Sequence, residues 1–147
     1  MDAGERSVMN GFDTISALAR GELPRPPMAD TVPFTLLPPE MGRVELRATP
    51  GERFLNLGGV VHGGWALTML DSAMGLAAAT TLDEGGFAPT YETSVKFLRP
   101  IPANIGEMRV IGTVISRGRS LVALDGRIES LDNRIFAHGT STCVVPR

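Results

Sequence analysis

The chain has 147 residues, 43% of them apolar and 20% charged, with a formal net charge of −2. That length suits one domain with its own core, and the charge offers no electrostatic case for nucleic-acid binding. A single cysteine, Cys143, excludes an internal disulfide and a cysteine-rich metal site. No apolar run is long enough to cross a bilayer, and the start, Met1 to Arg6, lacks the basic and apolar regions of a signal peptide. The expectation is one cytoplasmic domain over 1–147, with no nucleic-acid or membrane partner.

In chain order, residues 9–23 read as an amphipathic helix, with Met9, Phe12, Ile15 or Ser16, and Ala19 at helical spacing. Gly21 and the run Pro24-Arg25-Pro26-Pro27 end it and predict an extended lead-in to residue 27. Strands are expected over 32–37 and 42–48, broken by Pro38-Pro39 and Pro50-Gly51. Residues 54–64 carry four glycines and suit neither strand nor helix. From 65 to 82 the composition turns to Ala, Leu and Met, strong helix formers. Apolar residues surround this helix almost completely, which marks it as buried. Strands follow over 88–98, 108–116, 121–130 and 135–145, with Gly118 and Asp132-Asn133 as turns that favour antiparallel neighbours. The inventory predicts an α+β fold, an antiparallel sheet packed on one main helix after a short N-terminal helix. There is no internal repeat.

Asp71 stands in the middle of that apolar helix. A carboxylate in such a place is paired, protonated or working; the structural alternative is a partly exposed Asp bonded to backbone or to an Arg. Thr68, Asp71, Ser72 and Gly75 fall on one polar or small stripe, which suits a wet crevice or a partner chain. Upstream, Asn56-Leu-Gly-Gly-Val-Val-His62-Gly63-Gly64 runs straight into the helix. Free N–H groups at a helix start suit a phosphate or the oxyanion of a reacting carbonyl; a tight turn feeding a helix is the plainer alternative. The spacing matches neither a dinucleotide fingerprint nor a Walker loop. Asp71 lies eight residues beyond Gly63, about 12 Å along one helix. If both act on one group, Asp71 must come from another chain, which calls for a dimer with two equivalent sites.

These residues resemble the phenylacetate-pathway (PaaI-like) hotdog thioesterases. The match runs from Asn56-x-x-Gly59-x-x-His62-Gly63-Gly64 to Asp71, through the run Thr90 to Pro100 and the turn Arg117-Gly118-Arg119-Ser120, to Ala137-His138-Gly139-Thr140. The resemblance implies a hotdog fold, a long helix wrapped by a curved antiparallel sheet. It also implies a homodimer, often paired into a homotetramer, with sites between protomers. The implied reaction is hydrolysis of an acyl-CoA thioester without metal or redox cofactor, coenzyme A entering as part of the substrate. Gly63 N–H would hold the oxyanion, and Asp71 of the facing subunit would act as general base or nucleophile. Thr90 would help place the attacking water, Asn56 would orient the thioester or carboxylate surroundings, and His62 would brace the loop or hydrogen-bond near the thioester sulfur.

Gly64, Thr68 and Ser72 are further substrate-binding candidates. Arg99, Arg119 and Ser120, with Arg117 nearby, are candidates for the CoA phosphates, since Arg grips phosphate through paired hydrogen bonds; solvated turn arginines are the alternative. Trp65, Met69 and Met74 are candidates for an acyl pocket, against core packing. His138 is read as packing or surface, and no Gly-x-Ser-x-Gly elbow supports a serine hydrolase. Two rivals remain: a non-catalytic acyl-CoA sensor on the same fold, and a hotdog hydratase or dehydratase.

Overall fold

A computed structural model describes residues 9–147; the run Met1 to Arg6 lies outside them. The elements are α1 (Gly11–Ala19), α2 (Met28–Thr31), β1 (Thr35–Leu36), β2 (Arg43–Ala48), a 3-10 turn (Glu52–Phe54), α3 (Gly63–Ala79), β3 (Thr90–Phe97), β4 (Met108–Arg117), β5 (Leu121–Ser130) and β6 (Ile135–Val144). The strands form one antiparallel sheet in the order β1-β2-β4-β5-β6-β3. This is the hotdog arrangement, with α3 as its filling.

The sequence places β4, β5 and β6 almost to the residue, because their apolar runs end at tight turns. Asn133, at φ +69°, closes the last of these. Two expectations need correction. The lead-in after Pro24 is not wholly extended: Pro27 opens the helical turn α2, and the strand expected over 32–37 shrinks to Thr35–Leu36. Proline is tolerated at a helix start, where its missing N–H has no intrahelical acceptor. The main helix begins at Gly63 rather than 65, because His62 serves as its cap, Nδ1 accepting the Gly64 N–H at 2.8 Å.

The seat of α3 is cut into the sheet by glycines. Gly112 pairs with Gly126, and Gly126 with Gly139, so three central strands present a bare row to the helix. A Cβ on Gly112 would lie 2.5 Å from the Ala73 carbonyl oxygen. On Gly126 it would lie 3.1 Å from Met74 and 3.2 Å from Leu70, and on Gly139 3.5 Å from Leu70. Leu70, Met74, Leu46, Met108, Leu124 and Ile128 are fully buried around this seat. At the other end of α3, α1 closes down: Gly11 N–H donates to the Leu82 carbonyl at 2.9 Å.

Backbone cannot step aside as a flexible side chain can, so Gly112→Ala should destabilise the fold by about 1–3 kcal/mol, the usual penalty of overpacking. Urea denaturation should show a lower midpoint at unchanged slope.

Candidate active site

α3 is buried on the side that meets the sheet and open on the other. Trp65, Ala66, Met69, Leu70, Ala73, Met74, Ala77 and Ala78 are buried, whereas Thr68, Asp71, Ser72 and Gly75 are half-buried. The polar stripe read from the sequence is therefore the face turned from the core. Met69 and Met74 belong to the core, so the packing alternative holds for them. Trp65 is 4% exposed, and its indole Nε1 lacks a partner among the described residues.

Asp71 is held by β3. Thr90 Oγ1 donates to Asp71 Oδ1 at 2.8 Å, and Thr93 Oγ1 makes a longer contact to the same oxygen at 3.4 Å. In a regular strand, residues three apart point to opposite faces. The register of β3 against β6 shifts between Thr90 and Glu92, and that bulge is what lets both hydroxyls reach one carboxylate. Thr93 Oγ1 lies 3.1 Å from Ser141 Oγ, which in turn donates to the Glu92 carbonyl at 3.0 Å. Oδ2 of Asp71 has no partner among the described residues. Thr93 and Ser141 are site residues that the sequence reading missed; only a bulge, invisible in the sequence, brings them in.

At the start of α3 the geometry is equally specific. Asn56 Oδ1 accepts from Gly58 N–H at 2.9 Å and Val60 N–H at 3.2 Å, so it staples the loop and leaves its own amide N–H groups unused among the described residues. Gly59, at φ +79°, needs the left-handed conformation in this turn. Gly64 N–H is taken by His62, and Thr68 Oγ1 donates back to the Gly64 carbonyl at 2.9 Å. Gly63 N–H has no acceptor among the described residues. The Phe97 ring lies against its Cα, where an added Cβ would meet ring atoms at 3.1 and 3.2 Å.

Asp71 and Gly63 open onto different cavities. Asp71, Ser72 and Thr90 border one of about 460 Å3. Gly63 and Asn56 border another of about 410 Å3 with Phe97 and Arg99. His62, Gly64 and Thr68 line a third cleft, beside Arg53 and Trp65. Arg99 is thus placed beside Gly63, its guanidinium 5.9 Å from the Phe136 ring centroid. Arg119 and Ser120 are not. Their turn follows Arg117, whose Nε donates to Thr81 Oγ1 at 3.2 Å, at the opposite end of α3. His138 sits 3.5 Å from Asp125 on an exposed face, away from both cavities. No helix among the described residues is long and apolar enough to cross a membrane.

The thioesterase superfamily model matches residues 58–137, more than half of the chain. An inferred esterase from Saccharolobus solfataricus is 32% identical over 108 residues, covering 74% of this chain and 70% of that protein. Among solved structures, an inferred thioesterase related to phenylacetic acid degradation, from Ralstonia eutropha JMP134, is 31% identical. Its TM-score is 0.81, over 90% of this chain and 99% of that one. A Streptococcus mutans protein bound to acetyl-CoA is 25% identical with a TM-score of 0.70, over 77% and 88% of the two chains. The protein is a thioester hydrolase by class. It belongs to the thioesterase superfamily, as a PaaI-like hotdog chain.

Cys143 lies fully buried. Burial pushes its thiol up most strongly; hydrogen bonding with Ser141 and Thr90 pulls against it, and the Asp71 charge adds the smallest push. A raised value keeps it a neutral thiol near pH 7, a poor nucleophile. An aromatic disulfide reagent should therefore label Cys143 slowly in the native protein and rapidly in denaturant. As pH rises past the ordinary thiol value, the unfolded chain releases this proton before the folded one does, so stability should fall in alkali.

Proposed function

We propose that the protein is an acyl-CoA thioesterase whose site is completed by a second copy of the chain. The observation that carries this reading is the division of the machinery. The oriented carboxylate and the unused N–H lie on one straight helix, open onto separate cavities, and sit eight residues apart. At about 1.5 Å per residue they cannot share one carbonyl within a protomer.

The edge strand β3 suggests how a second copy fits. Leu98 N–H donates to the Phe136 carbonyl at 2.8 Å. Because hydrogen-bonded and non-bonded positions alternate in an antiparallel ladder, Thr93, Val95 and Phe97 direct their backbone groups away from β6 and out to the free edge. Pairing β3 with itself about Ser94 sets Thr93 against Val95 in those bonding positions. The same register sets Glu92 opposite Lys96 twice over, on the outer face. Centring on Thr93 or Val95 instead leaves both charges without an opposite partner. Glu92 and Lys96 are exposed and make no ion pair among the described residues. Tyr91 and Phe97, 76% and 59% exposed, would then cover one another. This register also carries the Phe97–Gly63 end of each copy toward the Thr90–Asp71 end of the other.

In such a site Gly63 N–H would receive the thioester carbonyl oxygen, and the charge that develops there on attack would find a fixed donor backed by the helix dipole. Asp71, positioned through Oδ1, would use Oδ2 either to take a proton from water that adds to the carbonyl carbon, or to add there itself and be released by water. In both courses the C–S bond breaks, the sulfur leaves as CoA thiolate, and the acid is freed. Arg99 would pair with CoA phosphates, and the free amide of Asn56 would donate to the bound thioester. The reaction needs no metal or redox cofactor.

Free-thiol release from a panel of acyl-CoAs tests the reading. Asp71→Asn should lose at least about 100-fold in kcat while melting as wild type does. Gly63→Pro is the sharper variant, because Gly63 is the first helical residue and proline suits that position without an N–H. His62, at φ −62° and ψ 137°, already has the extended backbone required before a proline. The helix should survive once the Phe97 ring, 59% exposed, turns aside from the added side chain; Gly63→Ala, which meets the same ring atoms but keeps its N–H, is the control. The proline variant should fall roughly 100- to 1,000-fold below that control in kcat; a kcat equal to the control's removes Gly63 from the mechanism. For assembly, Glu92→Lys should weaken the dimer by sedimentation, and adding Lys96→Glu should restore it. Acyl-CoA binding without turnover would leave a sensor in place of the enzyme.

A further inference from the structure

Along β6, Ala137, Gly139, Ser141 and Cys143 are buried, while His138 and Thr140 between them are exposed. Ser141 brings a hydroxyl into this buried row, at 5% exposure. A hydroxyl there loses its water and has to be bonded by the protein; alanine would fill the same place without that cost. The bonds are made toward β3. Ser141 stands directly opposite Thr93, Oγ to Oγ1 at 3.1 Å, and donates to the Glu92 carbonyl at 3.0 Å. Thr93 Oγ1 reaches on to Asp71 Oδ1 at 3.4 Å.

These contacts form a chain with an acceptor at each end, the Asp71 carboxylate and the Glu92 carbonyl. Thr93 and Ser141 each own one hydroxyl proton, so two protons serve three bonds. A weak contact from Ser141 Oγ to Cys143 Sγ at 4.0 Å brings one more proton and one more bond, and leaves the deficit unchanged. If both hydroxyls donated outward, their oxygens would face each other at 3.1 Å with no proton between them. Two chained arrangements avoid that. In one, Ser141 donates to Thr93 and Thr93 to Asp71. In the other, Thr93 donates to Ser141 and Ser141 to the Glu92 carbonyl. Rotation of the two hydroxyls interconverts them, and no proton leaves its oxygen.

The charge on Asp71 chooses between the two. An ionised carboxylate draws the Thr93 proton, because a bond to a charged acceptor is the stronger one. Ser141, donating to Thr93 from behind, polarises that bond further. When Asp71 has taken up a proton the pull is gone, and the chain turns toward Glu92.

We infer that Ser141 is a positioning residue for Asp71 and acts through Thr93: it fixes the Thr93 rotamer that reaches Oδ1, and it offers the acceptor to which Thr93 turns when the carboxylate is neutral. Without such a partner a threonine side chain spreads over its staggered rotamers, and Asp71 loses a donor held in place. The inference rests on the thioesterase reading for the part Asp71 plays in the reaction. The hold of Ser141 on Thr93 does not depend on that reading.

The test is a double-mutant cycle in kcat, run on an acyl-CoA that the wild type turns over, with Thr93→Val, Ser141→Ala and the two combined. Valine keeps the branched shape of threonine and suits a strand. Thr93→Val should lower kcat roughly tenfold and Ser141→Ala about threefold or more, the scale of one lost hydrogen bond, each with KM within about twofold of wild type. Because Ser141 acts through Thr93, the combined variant should be no slower than Thr93→Val alone, whereas independent effects multiply. A multiplied loss, or a wild-type kcat in either single variant, overturns the inference. Should Ser141→Ala fail to fold, Ser141→Cys, with a thiol that bonds only weakly, takes its place in the cycle. Three-bond NMR couplings from the Thr93 methyl to its backbone nitrogen and carbonyl carbon decide the point without turnover. They should report one rotamer in wild type and an average over rotamers in Ser141→Ala. One rotamer in both proteins, or averaging already in wild type, overturns the inference even if hydrolysis is robust. If no acyl-CoA turns over, the thioesterase reading fails, and the couplings still decide the hold of Ser141 on Thr93.

Discussion

Between the Ala73 carbonyl of α3 and Gly112 of β4 there is no room for a methyl group, and the rest of the molecule is arranged around that closeness. Three paired glycines let the helix backbone sink into the sheet, so that Leu70 and Met74 reach across the row rather than stand off it. A helix seated so deeply is fixed in rotation as well as in height. Its large apolar residues take the sheet side, and Thr68, Asp71, Ser72 and Gly75 are left on the far side by geometry rather than by preference. The carboxylate can therefore be placed in an otherwise apolar helix without the cost of full burial. The core and the site are two faces of one constraint.

The same helix separates the two halves of the proposed chemistry. An unpaired N–H can be had at its start, where backbone donors lack intrahelical acceptors. A carboxylate braced by a strand can be had only further along, where β3 passes. The two requirements fall on the same rigid rod and cannot be brought closer by bending it. A free, charged strand edge next to both offers a solution, since two-fold pairing sets unlike ends together. On this reading association is part of the active site, and weakening the β3 edge would lower activity without touching a catalytic residue.

What the sequence disclosed, and what it hid, follows from how far each signal reaches. α3 and the last three strands were legible because composition and turn residues are local. Asp71 was legible because a charge in an apolar run is locally anomalous. Gly112, Gly126 and Gly139 were not, since each is an unremarkable residue in its own strand and only cross-strand register makes them a row. Thr93 was hidden for a related reason: strand alternation puts it opposite Thr90, and a single bulge reverses that. α2 was missed because Pro24 to Pro27 was read as a stop, although a proline can equally open a helix. His62 was read as a loop brace, and its Nδ1 does brace the loop, but its work as a helix cap moves the start of α3 to Gly63.

Gly75 stands apart from the other glycines. Most of them answer to a steric demand that can be named, a carbonyl too near or a positive φ. Gly75 answers to neither: nothing lies within 4 Å of the place its Cβ would take, and it stands on the half-buried face of α3, one turn beyond Asp71. That is the face a second copy has to approach if the Gly63 end of one helix is to meet Asp71 of another, so a bare position there weakens the helix without disturbing the core beneath it.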